Sequence, residues 1–443
     1  MSGSKNSGLA APQSPATGSA ARSATRSTTD APAGLSPELQ EAALALMAGR
    51  PADAGWARRA GASAPEVLIR RLKRALGLTP QGFAELGSAQ PGGDDLSKSG
   101  GYAITYGGNF NPGQILRYLG RDPGNLAERV EGSRYTRFFP LEDQQVLLTL
   151  EIGPKACRVE FHHAPRPEAR LALHRALRRF LGLEQPLRAF YRALEGDAVM
   201  GPVIRRNRGL RIPQVPSLWE ALCWAVIGQQ INLAFAYRLR NRFIALGNGI
   251  GGGIGGGIGG GMVDDARDAG DAAGAGNGAG AAEIGAAREA AESVTEGAPA
   301  SSGVPLPFPT PAQVLTIPAP AWRPAQFSRQ KTAYLGGLAR AFEEGTLSQP
   351  ALESAPLEEA EATLRAVKGL GPWSVAYGML RALGRVDALP VGDAGLRAAL
   401  RHHYRLEAMP DARAQVELME TFRPYRGLAT TYFWRSLDQV RKK

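Results

Sequence analysis

Two features of this chain can carry chemistry: a glycine-rich turn, and a carboxylate at a set distance after it. The stretch Val367-Lys-Gly-Leu-Gly-Pro-Trp373-Ser374 is followed by an apolar run and then by Leu389-Pro-Val-Gly-Asp393. Gly369 and Gly371 permit a very tight turn between two helices and let the backbone approach a ligand with no Cβ in the way. The helix that opens after them, with Ser374 in its first turn, has unpaired N–H groups and the positive end of its dipole. That is a ready phosphate site, one that positions a nucleic acid without reading its sequence. Asp393 stands twenty residues after Trp373. It can cap a helix starting at Ala394, or it can stabilise positive charge that develops on a reacting centre. Trp373 and Tyr377 are four apart, so a helix puts both rings on one face. Such rings either fill a core or sandwich a flat ligand.

The 443 residues allow two to four domains, each able to bury a core. A formal net charge of +11 favours a polyanionic partner, because Lys and Arg that neutralise phosphates release counterions. The charge is uneven. Residues 248–303 hold eight acidic and two basic side chains, a net of −6, so the remainder carries +17. Cys157 and Cys223 are too few for a four-cysteine zinc or iron–sulfur site or a disulfide framework, and they fit a reducing cytoplasm. No run of about 18 apolar residues predicts a membrane span, and the N-terminus has no apolar signal core.

Periodicity predicts the elements that must position these groups. Residues 1–34 are expected to be a disordered tail. Over 35–90, Leu39, Ala43, Leu44 and Met47 recur at helical spacing. Then come a short helix at Trp56, a turn at Gly61, and a second helix bearing Arg70, Arg71, Lys73 and Arg74, a helix-turn-helix outline. Residues 100–200 read as a small α+β domain, with strands at 102–106, 146–152 and 157–162 and helices at 112–120 and 167–183. From 204 to 443 the chain is helical. One helix over 219–246 is expected to carry Gln229 and Gln230, with others near 330–343, 357–366, 373–383, 394–403, 411–422 and 427–441. An insertion over 248–303 repeats IleGlyGlyGly at Ile250, Ile254 and Ile258. Glycine there loses too much freedom on ordering, so a disordered surface loop is expected. The fold class is multidomain and mainly α: an all-α domain preceded by a small α+β domain with an antiparallel sheet and a short N-terminal helical segment.

The hairpin and the spacing to Asp393 closely resemble the signature of the helix-hairpin-helix DNA glycosylase superfamily, and within it the bacterial 3-methyladenine DNA glycosylase II branch. GLRIPQVPSLWEALCWAVIGQQINLAFAYRL, from Gly209 to Leu239, resembles that branch's first helix block, and FRPYRGLATTYFW, from Phe422 to Trp434, its closing helix. The segment from about 102 to 200 is similar to its N-terminal domain. Coverage is roughly 102–247 and 304–440. Separately, WARRAGASAPEVLIRRLKRALGLTPQGF resembles the second helix-turn-helix of AraC-type regulators.

The resemblance implies a monofunctional hydrolase of base excision repair, with duplex DNA containing alkylated bases as its partner, acting as a monomer at the nucleoid. Asp393 would stand beside the deoxyribose and stabilise oxocarbenium charge while water completes the displacement. Its oxygens must then face a groove that accepts an extruded nucleotide. Trp373, Tyr377 and Trp434 would surround the flipped base, Gln229 would line its pocket, and Gln230 or Ile231 would fill the gap in the stack. Gly369, Gly371 and Ser374 would hold the DNA backbone. No cofactor or protein-bound metal is implied; a monovalent cation bridging the hairpin backbone to a DNA phosphate is the one ion the resemblance allows. Lyase members carry a Schiff-base lysine where Trp373 stands, so no imine is expected. The alternatives are a glycosylase of the same superfamily acting on another base, and a non-catalytic DNA-binding or regulatory protein. For the last, a carboxylate facing phosphates would be repulsive.

Overall fold

The computed structural model describes residues 35–89, 101–106, 108, 110–141, 144–162, 165–250 and 303–440. The expected tail over 1–34 and the expected insertion over 248–303, apart from 248–250 and 303, lie outside the described residues.

Four helices come first: α1 Pro37–Met47, α2 Ala54–Arg59, α3 Pro65–Leu76 and α4 Pro80–Ser88. Their limits are written locally. The Ser36, Asp53 and Thr79 side chains accept first-turn N–H groups, which would otherwise be orphaned. Gly77, at φ +70°, stops α3 in the left-handed region. The helix, turn and basic helix expected over this stretch form. Leu68, Leu72 and Leu76 point inward, while Arg70, Arg71, Lys73 and Arg74 stay exposed.

A five-stranded antiparallel sheet follows, built from β1 Tyr102–Thr105, β2 Glu128–Glu131, β3 Arg134–Leu141, β4 Gln144–Ile152 and β5 Ala156–Phe161 in the order β1-β5-β4-β3-β2. Helix α5 Pro112–Leu119 lies between β1 and β2, and α6 Pro167–Phe180 follows β5. The sequence pattern did not predict β2 and β3. On β3 the inward positions are Tyr135, Arg137 and Phe139, and the buried arginine disguises the alternation of a half-buried strand. Residues of α1, α3, α4, the sheet and α6 share one core, among them Leu46, Leu72, Phe83, Tyr135, Val159 and Leu177.

The second core belongs to α7 Leu187–Leu194, α8 Met200–Arg206, α9 Leu218–Ile227, α10 Leu233–Gly247, α11 Pro311–Thr316, α12 Arg329–Glu343, α13 Gln349–Ser354, α14 Leu357–Arg365, α15 Pro372–Arg381, α16 Ala394–Tyr404, α17 Ala412–Glu420 and α18 Arg426–Val440. One expectation is corrected here. The single helix over 219–246 is two helices, broken at residues 228–232. Gln230 takes φ +58°, and the Asn232 side chain caps α10 by accepting from the Phe235 N–H at 2.9 Å. The apolar face continues across the break, which is why periodicity alone did not find it. Among the described residues no helix is long and apolar enough to cross a membrane.

Two buried polar seams tie these parts together. Between sheet and helices, Arg137 Nη2 donates to Glu220 Oε2 at 2.7 Å. Arg240 Nη2 bridges Glu220 Oε1 at 2.9 Å and Glu128 Oε1 at 2.6 Å. Burial alone would raise the Glu128 carboxyl; Arg240 and Arg137 overturn this and hold it down at about 2. Within the first core, His174 of α6 has Nε2 at 2.7 Å from the Leu76 carbonyl oxygen and Nδ1 at 3.1 Å from the Tyr102 hydroxyl. A carbonyl only accepts, so Nε2 carries the proton and Nδ1 accepts from Tyr102.

Burial pushes His174 down to about 4; the bond to Leu76 opposes the shift and Arg178 adds to it. The neutral form is therefore the folded form. Stability should be fully present above pH 6.5 and decline as pH falls from there towards 4, with a limit of roughly 3 kcal/mol for this group. Thermal melts from pH 7 to 4 should show this slope, and His174→Gln, which keeps a donor for Leu76, should reduce it to the share left by His403, which burial likewise lowers to about 4. An unchanged slope in that variant would remove His174 as its source.

Candidate active site

The glycine-rich turn joins α14 to α15. Gly369 has φ +98°, and a Cβ there would lie 2.4 Å from Cγ of Tyr334 on α12. No L side chain fits. Gly371 differs from the sequence-based expectation: its φ of −76° suits any residue, and a Cβ would meet nothing within 4 Å. Its value is exposed, open backbone at the start of α15, where no side chain caps the helix. Pro372 follows at the first helical position, where a missing N–H costs nothing.

Asp393 caps α16 and is fully buried. Its Oδ1 accepts from the Leu396 N–H at 2.7 Å and from Trp434 Nε1 at 2.8 Å, and its Oδ2 accepts from Trp373 Nε1 at 3.0 Å. The capping geometry is thus realised, with two indole donors added from α15 and α18. The expectation that both oxygens face an open groove is not met: the two tryptophans and the helix start cover them. A carboxylate so removed from water is sustained only because N–H donors satisfy it. The loop before it is fixed at several points. Gly392, at φ +88°, donates its N–H to Gln415 Oε1 at 2.9 Å. The buried Asp387 carboxylate accepts from Arg426 Nη2 at 2.7 Å and Nε at 3.0 Å. Arg385 donates to the carbonyls of Leu352, Glu353 and Ala355.

Trp373 and Tyr377 lie on one helical face, as their spacing predicted, and they stack on each other, with centroids 5.2 Å apart and planes at 25°. With Trp434 they are buried in the second core. Behind them lies a group that the sequence reading missed. The Arg381 guanidinium is 5.4 Å from the Tyr377 ring and 4.9 Å from the ring of Tyr118 on α5, and Arg121 is 3.8 Å from that same ring. Arg381, four residues after Tyr377, was legible as part of the same helical face. Tyr118 comes from the other end of the chain and gave no signal.

The remaining site residues separate into two settings. Gln229 and Ser374 face the hairpin: Gln229 Nε2 donates to the Gly369 carbonyl at 2.8 Å and lies 3.3 Å from Ser374 Oγ. Ser374 is itself buried, so its hydroxyl does not face solvent. Gln230 is exposed and Ile231 half-buried in the turn between α9 and α10. Among the described residues no group of three or more His, Cys, Asp or Glu is placed to hold a metal.

Residues 102–217 match the family model of the AlkA N-terminal domain. Over 333 residues the chain is 25% identical to the DNA-3-methyladenine glycosylase of Bacillus subtilis (strain 168), covering 74% of this chain and 94% of that protein. Among solved structures, the 3-methyladenine DNA-glycosylase from Archaeoglobus fulgidus aligns with a TM-score of 0.54 and 20% identity over 77% of this chain and 99% of that one. The 8-oxoguanine glycosylase/lyase of Clostridium acetobutylicum, in complex with DNA, gives 0.52 and 12% over 77% and 96%. The chain is thus similar to a DNA-3-methyladenine glycosylase over most of its length, matches the AlkA N-terminal domain over 102–217, and shares its fold with these solved glycosylases.

The two glycines should respond differently to alanine. Gly369→Ala should lower stability by about 2 kcal/mol or more through the left-handed φ and the contact with Tyr334. Gly371→Ala should melt with the wild type. Equal melting temperatures for both variants would contradict this division.

Proposed function

We propose that this relative of the DNA-3-methyladenine glycosylases is a monofunctional DNA glycosylase of base excision repair that hydrolyses the N-glycosidic bond of alkylated purines flipped out of duplex DNA. The coarser part, a DNA glycosylase, is what its relatives and its fold have in common. The finer part rests on one observation: a desolvated carboxylate, Asp393, whose partners are the two indoles expected to receive a base.

In this reading the uncapped start of α15 takes a backbone phosphate, with or without a bridging monovalent cation, and a monomer of the protein sits on the duplex. The extruded purine enters against Trp373, Tyr377 and Trp434. The indoles must swing off Asp393 for the deoxyribose to reach it. Once there, an anion in an apolar wall stabilises oxocarbenium charge more than an exposed one would. A purine alkylated on a ring nitrogen already carries positive charge and leaves without an acid donor, so one carboxylate suffices. With Trp373 at the position of the lyase lysine, the product is an intact abasic site and no protein–DNA imine forms.

Methylated duplex incubated with the protein should release free alkylpurine, separated chromatographically. Asp393→Asn keeps an acceptor for the Leu396 N–H while removing the charge. It should cut release by about 10²–10³-fold and still bind the damaged duplex. Undiminished release would take Asp393 out of the mechanism, and a borohydride-trapped adduct would overturn the monofunctional assignment.

A further inference from the structure

Helix α9 ends at Ile227, and the last carbonyls of a helix have no partner within it. The Ile227 carbonyl is met from outside: Lys331, in the first turn of α12, donates its Nζ–H to it at 2.6 Å. Lys331 is half-buried. Among the described residues that carbonyl is the side chain's hydrogen-bond partner, and no carboxylate pairs with it. Burial draws its pKa down to about 8. A cation held this way, at the negative end of a helix, is a strong and directional tie.

The tie closes a ring of contacts. One turn along α12, Tyr334 packs on Gly369, and its hydroxyl accepts from Gln330 at 2.8 Å. Gly369 in turn offers its carbonyl to Gln229. The ring runs from Ile227 through Lys331 and Tyr334 to Gly369 and back through Gln229. Emerging from it is the turn with left-handed, exposed Gln230.

Resting on the glycosylase reading, and on the role the resemblance gives Gln230 or Ile231 of filling the gap left in the stack, we propose that Lys331 is a positioning residue for base extrusion: its ammonium clamps the carbonyl end of α9 and so fixes the Gln229–Ile231 turn against the hairpin. Parting a base step costs free energy, and a wedge performs that work only if its own backbone does not yield. Two short helices meeting at a left-handed residue would yield unless both sides of the joint were fixed. Asn232 fixes the α10 side through its cap. Lys331 fixes the α9 side.

The test uses the full chain and a duplex carrying 2-aminopurine beside a tetrahydrofuran abasic analogue, where unstacking raises fluorescence. Lys331→Met keeps the aliphatic stem and removes the donor; Lys331→Arg restores a cationic donor. The wild type should give the rise. Lys331→Met should give it roughly tenfold more slowly, with wild-type affinity for undamaged duplex and a small fall in melting temperature, and Lys331→Arg should recover most of both. An unaltered rise in Lys331→Met overturns the proposal. So does a slow rise accompanied by a fall in melting temperature that Lys331→Arg does not repair, which would make Lys331 a stabilising residue only. A wild type that gives no rise also overturns it, because the turn then does not enter DNA. The probe offers no alkylated base, so failure to excise one counts against the glycosylase reading and leaves this comparison intact.

Discussion

The N–H groups of Leu396, Trp373 and Trp434 on the Asp393 carboxylate are the interaction on which the site depends. One comes from the start of α16, one from an indole on α15 and one from an indole on α18. A buried carboxylate without them would be costly enough to protonate or to pull water in. With them, it fixes the distance and orientation of the three helices it touches. The Asp387–Arg426 pair does the same one layer out, tying the start of α18 to the loop that delivers Asp393. Its geometry is bidentate, the form in which a buried ion pair holds orientation best.

The sheet domain is bound to this arrangement by charge as well as by packing. Arg137 on β3 and Arg240 on α10 share Glu220 of α9, so the helix leading to the Gln229 turn is anchored to the sheet from behind. Tyr118 on α5 reaches the same region by another route, its ring next to Arg381 and hence to Tyr377. The sheet domain thereby sets the back wall of the aromatic group. Its removal would take the Tyr118 ring from the buried Arg381 guanidinium.

The sequence made some of this legible and concealed the rest for physical reasons. The shared face of Trp373 and Tyr377 followed from helical spacing, and the Asp393 cap followed from residue type, because both are local. Gly369 and Gly371 were read alike as giving a tight turn, and the structure separates them: Gly369 has a left-handed φ, whereas Gly371 has ordinary dihedral angles. The break after Ile227 was hidden because an apolar stripe continued through it; the signal lay in Asn232, a capping residue embedded in a helical pattern. β3 was hidden by Arg137, whose inward position makes sense only once Glu220, eighty-three residues away, is placed against it. Long-range charge pairs leave no periodicity.

Burial of the carboxylate bears directly on how such a site can meet DNA. An exposed aspartate beside a phosphate-binding hairpin would repel the backbone that the +11 charge attracts. Asp393 avoids this, since its charge is covered by two indoles and spread over three N–H dipoles. On the proposed function, the closed arrangement would separate two tasks that conflict in an open one: the outer surface would bind phosphates, and the anion behind the rings would be reserved for whatever moves the rings aside. A stacked base cannot do that. In the proposed reaction a nucleotide turned out of the helix would, and a cationic purine would gain from the same aromatic faces it displaces. On this view the concealment of Asp393, which at first counts against contact with substrate, becomes the feature that limits contact to an extruded nucleotide.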